Sequence, residues 1–344
     1  MPVAPSEPDA VRAVRRRFAW CFAAVGALAA LAFLFSFCIG KYPLTVEEIG
    51  AILFGGEVGQ LKRDVFLNLR VPRAVMSFLT GVGLGLAGSV YQIIFKNPLA
   101  APDIIGVSSG ANLGAAVAVV VFGGSTMLLA SSAFVGGLLV TFMVIALVRM
   151  TDRNSMATYI LAGVVMKAVS ESFIMMLKFF ADPEKELAAI EYWSMGSFSN
   201  MTASKLAVVF PLFAVGLAGV VLLRRQVTLL GLQEDESRML GVRVRGVRIG
   251  VLAFSTLMVT STVCVTGLIA FVGLIAPHIA RLLLKRNSFP VCVFASLVGG
   301  VILLVADVFA RTIYSAEVPI SILTTLVGVP FLLYFIMRRQ GGDA

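Results

Sequence analysis

The stretch "AVMSFLTGVGLGLAGSVYQIIFKNPLAAPDIIGVSSGANLGAAVAVVVF", residues 74–122, consists of two apolar runs separated by a short polar turn containing Lys96, Asn97, Pro98, Pro102 and Asp103. Each run approaches the roughly 20 residues needed to cross a hydrocarbon core of about 30 Å. A proline-broken turn between two such runs reads as a membrane hairpin with spans at 74–95 and 104–122. Gly81, Gly85 and Ser89 recur at four-residue intervals in the first run, as do Gly106, Gly110 and Gly114 in the second. Small residues at that interval let helix backbones approach closely in lipid. The two spans are therefore expected to pack tightly on each other, with the glycines serving packing or gating.

The rest of the chain has the same character. Of its 344 residues 59% are hydrophobic and 14% charged, and the mean hydropathy is +0.96, far from a soluble domain. Further spans are expected at 18–39, 126–148, 156–179, 204–223, 247–267, 269–284, 290–310 and 321–337. Within 247–284, "TGLIAFVGLIAPHIARLLL" reads as one kinked helix or as two. The first run is longer than a signal-peptide core and lacks a clear cleavage site, so it is read as a retained helix. Only helices or closed barrels satisfy every backbone group in lipid. The expected fold is an all-α polytopic bundle of about ten helices over 18–337, flanked by tails 1–17 and 338–344, with no sizeable soluble domain.

Charge sets the orientation. Arg12, Arg15, Arg16 and Arg17 precede the first span and Arg338 and Arg339 follow the last, so the positive-inside rule puts both termini in the cytoplasm and requires an even number of crossings. Ten satisfies it. Lys96, Arg149, Arg153, Arg224, Arg225, Arg238, Arg243, Arg245, Arg248, Arg281, Lys285 and Arg286 then fall inside. This accounts for the net charge of +9 without a nucleic-acid partner. Arg70 and Arg73, in the first outside loop, run against the pattern and need another explanation.

Several motifs exclude more than they assign. "GVSSG", 106–110, matches G-x-S-x-G, but a nucleophile elbow needs a preceding strand and acid and histidine partners, and the only histidine is His278. His278 follows Pro277 and reads as a packed side chain held by a backbone carbonyl. Cys21, Cys38, Cys264 and Cys292 lie scattered in apolar runs, which suggests neither a metal site nor a disulfide framework. No G-x-x-x-x-G-K-[ST] occurs, so the chain is not expected to hydrolyse ATP itself. Within spans, Asp307 and Arg311, and Lys167 and Glu171, stand four residues apart and can pair on one helix face. The second pair reads as a structural ion pair in the bundle interior or as a substrate contact. The longest polar segment between spans, 224–250, carries Glu234, Asp235 and Glu236 before Leu240, Gly241 and a basic run. It reads as two short amphipathic pieces split at Gly241, forming a docking knob, or as a solvated connector.

"LRVPRA", "FKNPLAAPDIIGVSSGANLG", "LAGVV", "EDESRMLGV", "GLIAFVGLIAPHIARLLL", "LLVADVFAR" and "EVPISILTTLVGVPFLLYFIMRR" follow one another in an order that resembles the FecCD permease family, from about residue 64 onward. That family supplies the membrane subunits of type II ABC importers for iron-siderophores, haem and cobalamin in the bacterial inner membrane. The resemblance implies a homodimer, or a pair with a similar subunit, with two cytoplasmic ATPase subunits that use ATP and Mg and a periplasmic binding protein above. No cofactor or metal is expected on this chain. By the same resemblance, Arg70, Arg73 and Arg311 form basic pockets for acidic residues of the binding protein. Glu234, Asp235, Arg238, Leu240 and Gly241, within 224–246, belong to the coupling segment seated on the ATPase. Asn97, Pro98 and Leu99 form the cytoplasmic gate turn, and Lys167 and Glu171 lie on a pathway helix that is commonly less charged in the family. The competing reading is an ion-coupled secondary transporter using the intramembrane charges. A hydrolase built on Ser108 is a distant third.

Overall fold

The computed structural model describes residues 7–40, 42–151 and 156–340; Arg153 and the outermost parts of both expected tails lie outside the described residues. All regular structure among the described residues is helical. In chain order the first helices are α1 (Glu7–Cys38), α2 (Val46–Phe54), α3 (Gln60–Asp64), α4 (Val71–Ile94), α5 (Val107–Phe122), α6 (Thr126–Arg149) and α7 (Met156–Phe180). There follow α8 (Glu186–Ser194), α9 (Ala203–Leu222), α10 (Arg224–Leu230), α11 (Glu234–Met239), α12 (Val244–Thr266), α13 (Val272–Leu284), α14 (Phe289–Thr312) and α15 (Ile320–Gln340). Among the described residues, seven helical stretches are long and apolar enough to span a bilayer, and α5, α13 and α15 add shorter apolar helices.

The region 247–284 forms two helices. The break falls at Gly267, whose φ of 72° and ψ of −171° belong to a region essentially closed to residues with a Cβ. A Cβ there would also collide with the Trp193 carbonyl oxygen. Phe271, in left-handed geometry, then starts α13.

The glycine series do not do what their spacing in one hairpin suggested. Gly81 and Gly85 of α4 abut the backbone of α14 at Gly299 and Ala295, and Gly88 abuts Gly273 of α13. Gly110 and Gly114 of α5 instead meet α6 at Gly136 and Ser132. The most extensive helix pairs are accordingly α4 with α14 and α5 with α6, whereas α4 and α5 barely touch. The connection explains the difference. It includes a 3-10 turn, Pro102–Ile105, and Gly106 at φ 83°, which carry α5 away from α4.

The core runs through α4, α12 and α14. In the most apolar window of α4, 78% of the residues are buried, against 17% in α7. That contrast leaves α7 displaying most of its surface to whatever surrounds the protomer.

Candidate functional site

At the end of the bundle that carries α2, the helix leading into α4 is continuous with it. Pro72 lacks an N–H to bond four residues back, and the chain takes up a π-helical turn, Val65–Arg70, in which the Val71 N–H reaches the Phe66 carbonyl five residues back. Arg70 and Arg73 therefore sit on a helix rather than in a loop. Both are buried, as is Arg311 on α14.

Each arginine has partners within the protomer. Arg73 donates from Nε to Asp307 at 2.9 Å and grips Glu317 with both terminal nitrogens, at 2.8 and 3.0 Å. Asp307 is 0% exposed and also lies 3.8 Å from Arg311 Nε, so the expected pair within α14 exists as half of a larger cluster. Arg311 Nη2 donates to the carbonyl and hydroxyl of Ser36, both at 2.8 Å. Arg70 donates to the carbonyls of Phe37 and Tyr42. Two cations thus cap the final carbonyls of α1, where the helix dipole is negative and the backbone acceptors lack intrahelical partners. The three guanidiniums are engaged within the protomer by α1, the Tyr42 carbonyl, Asp307 and Glu317. Arg73 and Glu317 keep 11% and 24% side-chain exposure and are the reachable part. Ser36 and Glu317 were missed from sequence, although Glu317 opens the quoted block "EVPISIL".

At the opposite end, 224–250 forms a compact knob. Its two short helices divide at Gly231 to Gln233 rather than at Gly241, because Gln233 and Glu236 make a reciprocal capping box that starts α11. Gly241, at φ 80°, closes α11. Its N–H bonds the Arg238 carbonyl at 2.9 Å, and the Val242 N–H bonds the Ser237 carbonyl at 3.1 Å. That is the left-handed glycine stop in which two orphan carbonyls are satisfied at once. The Ser237 hydroxyl donates to the Leu229 carbonyl at 2.8 Å and ties α11 to α10. Glu234 pairs with Arg238 at 2.8 Å and reaches Arg248 of α12 at 3.7 Å. Asp235, Met239 and Leu240 are exposed on this unit.

The turn after α4 lies close to this knob. Asn97 Oδ1 accepts from the Leu99 N–H at 2.9 Å, the local turn that asparagine favours. Pro98 and Leu99 are exposed. The preceding Phe95 is fully buried and meets the Tyr159 ring of α7 edge-on at 6.0 Å. The Arg248 guanidinium stands 5.7 Å from the centre of that same ring, so Glu234, Arg248, Tyr159 and Phe95 form a contiguous series from knob to turn.

Lys167 and Glu171 pair at 3.7 Å, yet their side chains are 53% and 52% exposed. The interior ion pair expected from sequence is thus on the protomer surface, along the unpartnered face of α7. Ser108 donates to Asp103 at the start of α5, with no strand among the described residues, which removes the nucleophile-elbow context. His278 Nδ1 lies 2.8 Å from the Leu274 carbonyl and is buried, as expected of a packed histidine.

Comparison with known proteins is consistent with this geometry. The model of the FecCD transport family matches residues 28–338, which reaches back into the C-terminal part of α1 and so extends the sequence resemblance, which began at about residue 64. The molybdate import system permease protein MolB of Haemophilus influenzae is 34% identical over 88% of this chain and 91% of its own. An iron chelatin transport system permease protein of Helicobacter pylori is 35% identical, covering 80% and 83%. A solved structure, an inward-facing conformation of a metal-chelate type ABC transporter, superimposes with a TM-score of 0.81 at 32% identity, over 92% of this chain and 98% of that one.

Proposed function

The chain belongs to the FecCD transport family and is an ABC transporter permease subunit, and from that premise we propose that it forms the inward pathway for a metal chelate such as an iron-siderophore, haem or cobalamin. The observation that carries this reading is the α10–α11 knob, a rigid, capped unit with exposed Met239 and Leu240 at one end of a membrane bundle. A transport subunit without its own phosphate-binding loop needs a surface on which an ATPase can push. Two copies of this chain, or this chain and a similar subunit, enclose the pathway. Two ATPase subunits, which use ATP and Mg, seat the segment from Glu234 to Gly241, with Asp235, Arg238 and Leu240 at the contact.

In this reading both termini and the knob are cytoplasmic, in the inner membrane of a bacterium, and the arginine cluster faces the periplasm. The cluster holds three guanidiniums against the carboxylates of Asp307 and Glu317, which leaves a positive excess for a binding protein's acidic residues. Such complementarity fixes register and speeds encounter. Arg73 is the direct contact, while Arg70 and Arg311 supply potential and hold α1. The turn of Asn97, Pro98 and Leu99 closes the pathway at the cytoplasmic end.

Reconstitution in liposomes with ATPase and loaded binding protein tests the reading. Uptake is expected to require ATP and to persist in the presence of an uncoupler. Uptake that collapses with the proton gradient while ATP remains would overturn it.

A further inference from the structure

Lys167 lies near the midpoint of α7 (Met156–Phe180) and is half-exposed beside an equally exposed Glu171. Ionised groups at the centre of a span are costly in lipid and face protein or a watery cavity. This face of α7 is therefore not a lipid face. Gly163, one turn before Lys167, packs so closely on the Ile104 carbonyl that no Cβ fits between them. Residues four apart share a helix face, so the same ridge carries Lys167 toward Asp103, the neighbour of Ile104. The Lys167 ammonium lies within electrostatic reach of the Asp103 carboxylate. The Ser108 hydroxyl donates to that carboxylate. Neither α5 nor the membrane part of α6 carries another charged residue.

We propose that Asp103, Lys167 and Glu171 form a charge-selective lining of the translocation pathway, which passes cationic or uncharged chelates and retards anionic ones. One ammonium stands against two carboxylates, a net of −1 per protomer with both acids ionised, and a second copy doubles it. A low-dielectric passage lined by one sign of charge focuses its field and changes encounter rates by 10- to 1,000-fold. The inference rests on the reading of this chain as a pathway-forming permease. It further places an oxyanion, the cargo named for the Haemophilus influenzae relative, among the disfavoured substrates.

The test uses the full-length protein in nanodiscs, with Cys21, Cys38, Cys264 and Cys292 replaced by alanine and a single probe, Ala168→Cys, on the exposed face between Lys167 and Glu171. Cationic and anionic methanethiosulfonates are compared, each normalised to its rate on free cysteine. The cationic reagent is expected to react about tenfold faster. Glu171→Gln should shrink the ratio several-fold, Asp103→Asn combined with it should shrink it further, and Lys167→Met should widen it. Raising the salt should compress all ratios. Glu171→Ala replaces the glutamine variant if that one does not elute like the parent protein on gel filtration. Failure of both charged reagents to react, or a ratio unmoved by neutralising the carboxylates, overturns the proposal. The transport reading fails separately: expected labelling without ATP-dependent uptake sinks that reading and leaves the charged lining in place, whereas ATP-dependent uptake with an unmoved ratio sinks the lining alone.

Discussion

Asp307→Asn isolates the electrostatic role of the arginine cluster, because it keeps the shape of the side chain and removes the charge at a position with no exposure. In the folded protomer this carboxylate lies 2.8 Å from Arg73 and 3.8 Å from Arg311. Removing one partner of a buried ion pair costs about 3–5 kcal/mol, since the remaining charge stays desolvated. Taking about 2.1 cal/mol/K of unfolding entropy per residue over 344 residues gives about 0.7 kcal/mol/K. The expected loss in melting temperature is then about 4–7 °C. Membrane helices persist in detergent after tertiary packing is lost, so the true entropy is smaller and the shift is at least this large. Thermal aggregation followed by gel filtration in detergent reads it directly. Glu317→Gln removes a charge that is partly exposed, and solvent screening holds its cost to about 1 kcal/mol. The double variant Arg73→Gln/Asp307→Asn should lose less than the sum of its single changes, by about 0.5–3 kcal/mol, because the two groups act as one unit. A shift under about 1 °C for Asp307→Asn, or strict additivity in the double variant, would refute the argument that this cluster holds α1, α4 and α14 together.

Gly241→Pro should uncouple ATP hydrolysis from uptake while the bundle still elutes as wild type, because proline cannot take φ 80° and removes the N–H that closes α11; full binding-protein stimulation and uptake in liposomes would contradict this. Gly81→Leu should abolish monodisperse expression, since even a Cβ would collide with the Gly299 backbone, whereas Gly246→Ala, with open space around it, should express normally. Arg73→Glu should weaken binding-protein affinity at least tenfold in surface plasmon resonance at low salt and also lower thermal stability, because it sets a third carboxylate beside Asp307 and Glu317. Tyr159→Leu should leave ATPase binding intact but reduce the stimulation of hydrolysis by loaded binding protein, and unchanged stimulation would remove Tyr159 from the coupling route.

Parts of this architecture were legible because one physical rule governs them alone. The number and position of apolar runs follow from bilayer thickness. Partner choice is of another kind. The four-residue spacing of Gly81 and Gly85 announces a close approach but carries no information on which helix makes it, and the partner, α14, lies more than two hundred residues along the chain. The partners of the arginines were hidden for a related reason. Arg70 and Arg73 violate a charge rule only if they stand free in a loop. Their partners are the Phe37 carbonyl near the end of α1, the Tyr42 carbonyl in the segment after it, and two acids near the other end of the chain, and no local pattern declares a carbonyl an acceptor. For Lys167 and Glu171 the spacing predicted the pair but not which of its two settings holds, because a sequence does not reveal which face of a span its own protomer covers.

The two ends of the bundle are joined by α4. From Arg73, held by Asp307 and Glu317, α4 runs to Phe95 and the Asn97 turn, and its 24 residues span about 36 Å. Along the way Gly81 and Gly85 put its backbone directly on that of α14, with no layer of side chains between them to absorb a displacement. At its far end Phe95 touches Tyr159, Tyr159 faces Arg248, and Arg248 reaches Glu234 in the knob. Contiguity of this kind transmits nothing unless some element has two discrete arrangements that both ends bias. The turn of Asn97, Pro98 and Leu99 is the element best suited to that part. It is short and exposed, it is held by a local side-chain bond rather than by the core, and it lies between a helix that begins in the arginine cluster and a ring that faces Arg248, the α12 partner of the knob's Glu234.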